Sequence, residues 1–118
     1  MNAINPPHYQ KHPSGLQCIS VVRDQGYLIG NTVKYLWRAG YKGDRLEDLQ
    51  KAWQYLTWAI EEGARINSTP ATDAFLGWWM FGTDDDGREE DRIIQWVLRE
   101  ELHEALAELE DLIEASHD

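Results

Sequence analysis

An all-α fold is predicted for this 118-residue chain, and three features of the sequence predict it. Apolar residues recur at alternating spacings of three and four through long stretches, no segment alternates with the period of a half-buried strand, and the periodic runs are bounded by capping residues or glycine. The length suits one compact domain with its own core, here three N-terminal helices, an aromatic-rich fourth helix and a long C-terminal helix.

The opening Asn5-Pro6-Pro7-His8-Tyr9 cannot be helical, because each proline fixes φ and pushes the residue before it towards extended geometry. It is expected to lie as a strap across the domain. A first helix is expected from Leu16 to Gln25, stopping at Gly26, and a second from Gly30 to Ala39, stopping at Gly40, glycine serving both as the left-handed terminator. The third opens on Asp44 with Glu47 three residues later, a capping-box-like pair. Leu46, Leu49, Trp53, Leu56 and Ile60 then form an apolar seam assigned to the core. A second stripe, Asp48, Lys51, Tyr55, Trp58 and Glu62, runs about 200° around the same helix and is amphipathic.

Beyond a break after Ile66, Thr69 is an N-cap candidate with Pro70 at the first helical position. The fourth helix, Pro70 to Phe81, crowds Phe75, Leu76, Trp78, Trp79, Met80 and Phe81 together, more apolar surface than one face buries. Asp84, Asp85 and Asp86 read as a polar turn. A single last helix is expected from Arg88 to Ala115, roughly 40 Å long at 1.5 Å per residue. Its stripe Ile94, Val97, Leu98, Leu102, Ala105, Leu109 and Leu112 suits a helix-bundle seam.

Charge divides the chain. Residues 1–60 hold seven Lys or Arg against four Asp or Glu, whereas residues 61–118 hold four against seventeen, and the whole carries −10. Wrapping of a long nucleic acid is disfavoured, because each phosphate contact needs a cation and the acidic half would repel the strand. A small anion in a local basic pocket remains allowed. Cys18 is the only cysteine, so no internal disulfide can form; it reads as a buried structural thiol in a reducing cytoplasm. No apolar run approaches the roughly 20 residues of a membrane span, and no signal-like apolar stretch opens the chain.

The basic stretch is Gly30 to Gly40. On a helix Asn31, Lys34, Tyr35 and Arg38 share an arc of about 100°, while Val33, Leu36 and Trp37 turn the other way. Two cations one turn apart call for a bridging anion, or for carboxylates such as Asp48 and Glu47 from the next helix. Arg38 offers a fork and Lys34 a point charge, and Gly30 would let a ligand approach backbone amides near the helix start. Asp48, Lys51 and Tyr55 form the opposite wall. Tyr35, Trp37, Tyr41 and Tyr55 are candidate stacking faces, with Trp37 and Trp53 favoured as core.

Asn5-Pro6-Pro7-His8-Tyr9, Cys18-Ile19, Gly30-Asn31, the run Lys34 to Gly40, Lys42 and the run Glu47 to Leu56 together resemble the SaV-like family of small bacteriophage proteins. The resemblance covers about residues 3–62 and so marks residues 1–66 as the nucleotide-binding region of the chain. One branch of that family is described as a nucleotide kinase acting on nucleoside monophosphates. The resemblance therefore implies a nucleotide ligand, a nucleoside triphosphate donor, and a place in the cytoplasm of an infected bacterium. No P-loop is present, since Gly40-Tyr41-Lys42-Gly43-Asp44 lacks its spacing and its Lys-Ser/Thr pair. Phosphoryl transfer would then rest on positioning and on Lys34, Arg38, Lys42 and Lys51, with His8 or Asp48 near the acceptor. Tyr9, Gly30, Asn31, Tyr35 and Tyr55 complete the expected ligand-binding set. No metal ligands are assigned, and the residues do not establish a Mg²⁺ requirement.

The acidic region, 67–118, lies outside the resemblance. Glu101, Glu104, Glu108 and Asp111 fit the letters of paired carboxylate motifs but lie along one expected helix, where they cannot face each other; a solvated acidic face is the preferred reading. Surplus apolar surface in residues 70–115 predicts a homo-oligomer. Three function classes follow: a nucleotide kinase-like enzyme, a non-catalytic protein that sequesters a nucleotide, and an acidic inhibitor of a host protein.

Overall fold

A computed structural model describes residues 12–83 and 87–117. Among these, six helices and no strand occur: α1 (Cys18–Val22), α2 (Tyr27–Arg38), α3 (Arg45–Glu61), α4 (Pro70–Phe81), α5 (Glu89–Leu98) and α6 (Leu102–Ala115). The all-α class follows from them. His8, Tyr9 and Asp84 to Asp86 lie outside the described residues.

The first two helices differ from expectation in extent. α1 is only five residues long, and the residues after it turn to Asn67: its side-chain amide donates to the Asp24 carbonyl at 2.8 Å, and the Gln25 side chain bonds its backbone at 2.7 and 2.9 Å. α2 starts three residues early, directly after Gly26 as N-cap. Gly30 is therefore inside the helix, its N–H bonded to the Gly26 carbonyl at 2.8 Å. It faces the Val22 backbone of α1, and its amide is not available to a ligand.

Asp44 caps α3 as expected, accepting from the Glu47 N–H at 3.2 Å. The buried centre of α3 is Leu49, Ala52, Leu56 and Ala59, with Leu46, Trp53 and Ile60 half-buried at its margin. Two alanines on that line let neighbouring helices approach closely, which shifts the core side from the larger residues of the seam. α3 ends at Glu61 rather than near Ile66, in a Schellman turn: Gly63 has φ of 65°, and Ala64 N–H reaches the Ala59 carbonyl at 2.9 Å.

Thr69 and Pro70 open α4 as expected, the Thr69 and Thr72 hydroxyls each accepting from the other's N–H. Only Phe75 of its large residues is fully buried; Met80 and Phe81 are exposed. The expected single C-terminal helix is two helices that fold back and pack on each other. The break is a second Schellman turn, in which Glu100 takes φ of 62° and Glu101 N–H reaches the Trp96 carbonyl at 2.9 Å. A left-handed non-glycine residue is costly, and its carboxylate compensates by accepting from Ile66 N–H at 2.9 Å and Arg65 Nε at 3.1 Å. The stripe Ile94, Val97, Leu98, Ala105, Leu109 and Leu112 is buried, shared between the two helices instead of lining one.

α2 and α3 form the most extensive pair, α3 and α2 pack in turn on α6 and α5, and α1 and α4 close the remaining side. The basic face of the chain is thus presented on the outer side of the α2–α3 pair.

Candidate functional site

The 3.6-residue period places Lys34, Tyr35 and Arg38 on one face of α2, and Asp48, Lys51 and Tyr55 on the side of α3 that meets it. The structure brings these residues together. Tyr35 stacks on Tyr55 with ring centroids 5.9 Å apart and planes 9° from parallel. The Lys34 and Lys51 ammonium groups lie 4.9 and 5.4 Å from the centre of the Tyr35 ring, one from each helix. Such cation–π contacts are worth about 0.5–1 kcal/mol at exposed sites, too little to use up either charge. Neither ammonium is within ion-pair distance of a carboxylate among the described residues.

Tyr55 is also met edge-on by Tyr27 at 5.8 Å and by Trp58 at 5.7 Å, so four aromatic rings form a cluster centred on Tyr55 beside the cations. Tyr35 and Tyr55 are largely occupied by each other. The rings open to solvent are Tyr27, 71 % exposed, and Trp58, 43 % exposed. Tyr27 is not among the sequence candidates, because the expected helix begins after it.

Arg38 and Asp48 meet across the helix pair, Arg38 Nε lying 3.3 Å from Asp48 Oδ2. The carboxylate alternative therefore holds for Arg38, with Asp48 as its partner and not Glu47. The burial of the two groups is unequal: the Arg38 side chain is 46 % exposed and that of Asp48 3 %. Asp48 Oδ2 accepts no hydrogen bond, and burial pushes its carboxyl above the usual range, with Arg38 and Lys51 pulling the other way. The second stripe of α3 is thus not uniformly amphipathic at the surface, since Asp48 turns inward while Lys51, Trp58 and Glu62 face out.

Other candidates fall elsewhere. Asn31 is half-buried and donates back to the Tyr27 carbonyl at 2.9 Å. Trp37 is buried, stacked on the His12 ring at 4.3 Å. The Tyr41 ring is covered by the Arg88 guanidinium at 4.2 Å. Trp53 is half-buried and donates Nε1 to Glu110 at 2.9 Å. Lys42 is exposed on the α2–α3 turn. Burial pushes the Cys18 thiol up to about 12, so it stays protonated at neutral pH.

A second constellation lies outside the sequence candidates. His12 Nε2 donates to Asp91 Oδ1 at 2.9 Å, while its Nδ1 accepts the Ser14 N–H at 3.1 Å and lies 2.8 Å from the Ser14 hydroxyl. Arg88 grips the same aspartate through Nη2 at 3.0 Å and Nε at 3.3 Å. Its guanidinium also donates to the Ala39 carbonyl at 2.6 Å and the Trp37 carbonyl at 3.2 Å, capping the C-terminal end of α2. Burial alone would raise the Asp91 carboxyl, but the hydrogen bonds from His12 and Arg88, with the Arg88 charge, hold it below the usual range. Asp91, three residues after Arg88 and ahead of an apolar run, is legible as a capping partner; His12 leaves no local signal, being 79 residues away. Beside this cluster Arg45 Nε donates to the buried Glu90 at 2.6 Å. These contacts fasten the basic half to the acidic half.

Two grooves lie apart from the basic face. One of about 710 Å³ runs between α3 and α6, lined by Gln50, Trp53, Glu110, Ile113, Glu114 and His117. A smaller one of about 300 Å³ lies between α5 and α6. There Glu108 is engaged by Arg92 at 3.0 Å and by Trp96 Nε1 at 3.1 Å. No described helix is long and apolar enough to cross a membrane.

Among known proteins, residues 4–57 match the model of a family described as a protein of unknown function, DUF3310. The match takes in α1, α2 and most of α3, and so the whole of the Lys34, Arg38, Lys51 and Tyr55 face. Comparison with curated proteins and with solved structures gave no match.

Proposed function

We propose that the α2–α3 face binds a nucleotide and that, as the resemblance to SaV-like phage proteins implies, the chain is kinase-like, phosphorylating a nucleoside monophosphate without a P-loop. One observation carries the binding part: Lys34 and Lys51 flank the Tyr35 ring of an aromatic cluster, with Arg38 one turn along the same helix face, in a chain whose net charge is −10. Cations beside stacking surfaces are what a phosphate joined to a base requires, and base–aromatic stacking is worth about 1–3 kcal/mol per base. A base would stack on Tyr27 or Trp58, the exposed members of the cluster. The family match covers this face apart from Trp58.

Transfer would rely on orientation and on neutralising charge as it spreads over the moving phosphoryl group. Lys34 and Lys51 suit that role, because neither lies within ion-pair distance of a carboxylate among the described residues. A second reading, a protein that holds a nucleotide without chemistry, is favoured by the missing P-loop, since Gly40 to Asp44 lacks its spacing and its Lys-Ser/Thr pair.

The test is a thermal-shift screen of the full chain against nucleosides and nucleoside mono-, di- and triphosphates, followed by product analysis for each hit with a triphosphate present. A ligand at 100 times its Kd adds about 2.7 kcal/mol to stability, a shift readily seen. Stabilisation with transfer, both lost in the Lys34→Ala/Lys51→Ala variant, supports the kinase-like reading. Stabilisation without product selects the sequestering reading. An unchanged melting curve across the panel overturns both.

A further inference from the structure

Resting on the nucleotide-binding reading, we infer that Asp48 and Gly43 are positioning residues that fix the Arg38 guanidinium as a seat for a terminal phosphate, a phosphate monoester rather than a bridging diester.

The guanidinium is paired at one place and given room at another. At its inner edge Nε faces Asp48 Oδ2 at 3.3 Å. That carboxylate is a poor structural partner: its side chain is only 3 % exposed, and this oxygen receives no hydrogen bond. Keeping a buried charge with so little compensation costs stability, so a purely structural role would be better served by an uncharged residue. At its outer end Nη2 passes over Gly43. A Cβ placed on Gly43 would stand 3.0 Å from Nη2, with the next two guanidinium atoms at 3.8 Å. Gly43 also has φ of 75°, so both its backbone and its missing side chain belong to the arrangement.

An arginine fork binds phosphate through two parallel N–H donors. With Nε turned inward, the donors left for a ligand are those of the terminal nitrogens, on the exposed part of a side chain 46 % open to solvent. Lys34 stands one turn away on the same helix face and Lys51 across the ring from it. Lys34 and Lys51 flank the Tyr35 ring on this face, and their charge added to that of Arg38 suits the dianionic charge of a monoester. A diester in a continuous strand offers one charge per phosphate and would bring its neighbours against the acidic half of the chain. The charged groups around Asp48 are Arg38, Lys51, Glu47 and Asp44, and none but Arg38 reaches it within ion-pair distance.

The experiment compares two glycine variants of the full chain. Gly63 has the same left-handed backbone, φ of 65°, with nothing near the site of a Cβ. Gly43→Ala and Gly63→Ala therefore carry like backbone strain, and only the first pushes on the guanidinium. Calorimetry with inorganic phosphate, and with a nucleoside monophosphate that the wild type binds, reads the affinity of each; melting temperature reads the strain. Gly43→Ala is expected to weaken phosphate and monophosphate binding several-fold, with Gly63→Ala unchanged and both melting points lowered alike. Asp48→Asn is expected to weaken binding several-fold without lowering the melting point, and Arg38→Lys to lose the preference for a monoester over a dinucleotide diester. Equal affinities in the two glycine variants, with wild type binding normally, overturn the seat while leaving nucleotide binding intact. A wild type that binds neither phosphate nor any nucleotide overturns the underlying reading as well.

Discussion

Asp91 and Asp48 are both buried and both face an arginine, but their surroundings differ in every other respect. Asp91 has each oxygen engaged: His12 and Arg88 Nη2 on Oδ1, and the backbone N–H and Nε of Arg88 on Oδ2. Its arginine is also mostly buried and spends its other donors on the α2 terminus. Asp48 has one half-exposed arginine at 3.3 Å and an oxygen with no hydrogen bond. Their carboxyl pKa values shift in opposite directions, Asp91 down and Asp48 up. Saturated partners mark a group that holds the fold together, and an under-served buried charge marks a place where stability has been given up for something else.

The largest expected effect tests the saturated end. Asp91→Ala leaves His12 and Arg88 buried without their acceptor, and breaking one partner of a buried pair costs about 3–5 kcal/mol. Denaturant unfolding should show that loss, a large share of a stability on the order of 5–15 kcal/mol. The pH dependence follows from the lowered carboxyl. The Asp91 contribution is complete above the ordinary aspartate value of about 3.9 and is lost as pH falls through its lower folded value, so the deficit of the variant is full at neutral pH and closes in acid. A deficit below about 1 kcal/mol at pH 7, well short of the range for a broken buried pair, would place Asp91 with Asp48 and break the contrast.

Arg88→Lys comes next. Lysine keeps the charge but has no planar fork, so it cannot serve Asp91, Trp37 and Ala39 together. At least one carbonyl at the α2 terminus is left unsatisfied, for an expected loss of about 1–3 kcal/mol. Hydrogen exchange at Ala39 and Tyr41, whose amides close the last turn of α2, should rise along with it. Unchanged exchange would show that the cap on α2 is not what Arg88 supplies.

What the sequence makes legible is local. Asp44 before Arg45, and Thr69 with Pro70, announce their helices because a cap bonds within three residues. The 3.6-residue period likewise puts Lys34, Tyr35 and Arg38 on one face from their spacing alone. The end of α5 escapes because Glu100 takes the left-handed position that glycine usually holds, and the groups that stabilise it, Arg65 and Ile66, are 35 and 34 residues away. The anchoring of His12 on Asp91 escapes for the same reason at longer range. Gly30 misleads by a register error: three extra residues at the start of α2 move it from an open end to a packed interior.

The smallest effect on stability is expected at Asp48, and its sign decides the comparison. Asp48→Asn removes a buried charge that accepts no hydrogen bond at Oδ2, while the half-exposed Arg38 recovers its interaction by solvation. At pH 7 the variant should be as stable as wild type or slightly more, within about 0.5 kcal/mol. Because the folded carboxyl is raised, its favourable contribution is present below about 3.9 and is lost as pH rises through the raised value. The advantage of asparagine should therefore vanish in acid and grow with pH across that window, the mirror image of the Asp91 profile. A melting point that falls as far as that of Asp91→Ala would mean that Asp48 is as saturated as Asp91, and that the Arg38 pair is a clasp between α2 and α3 rather than a seat for a ligand.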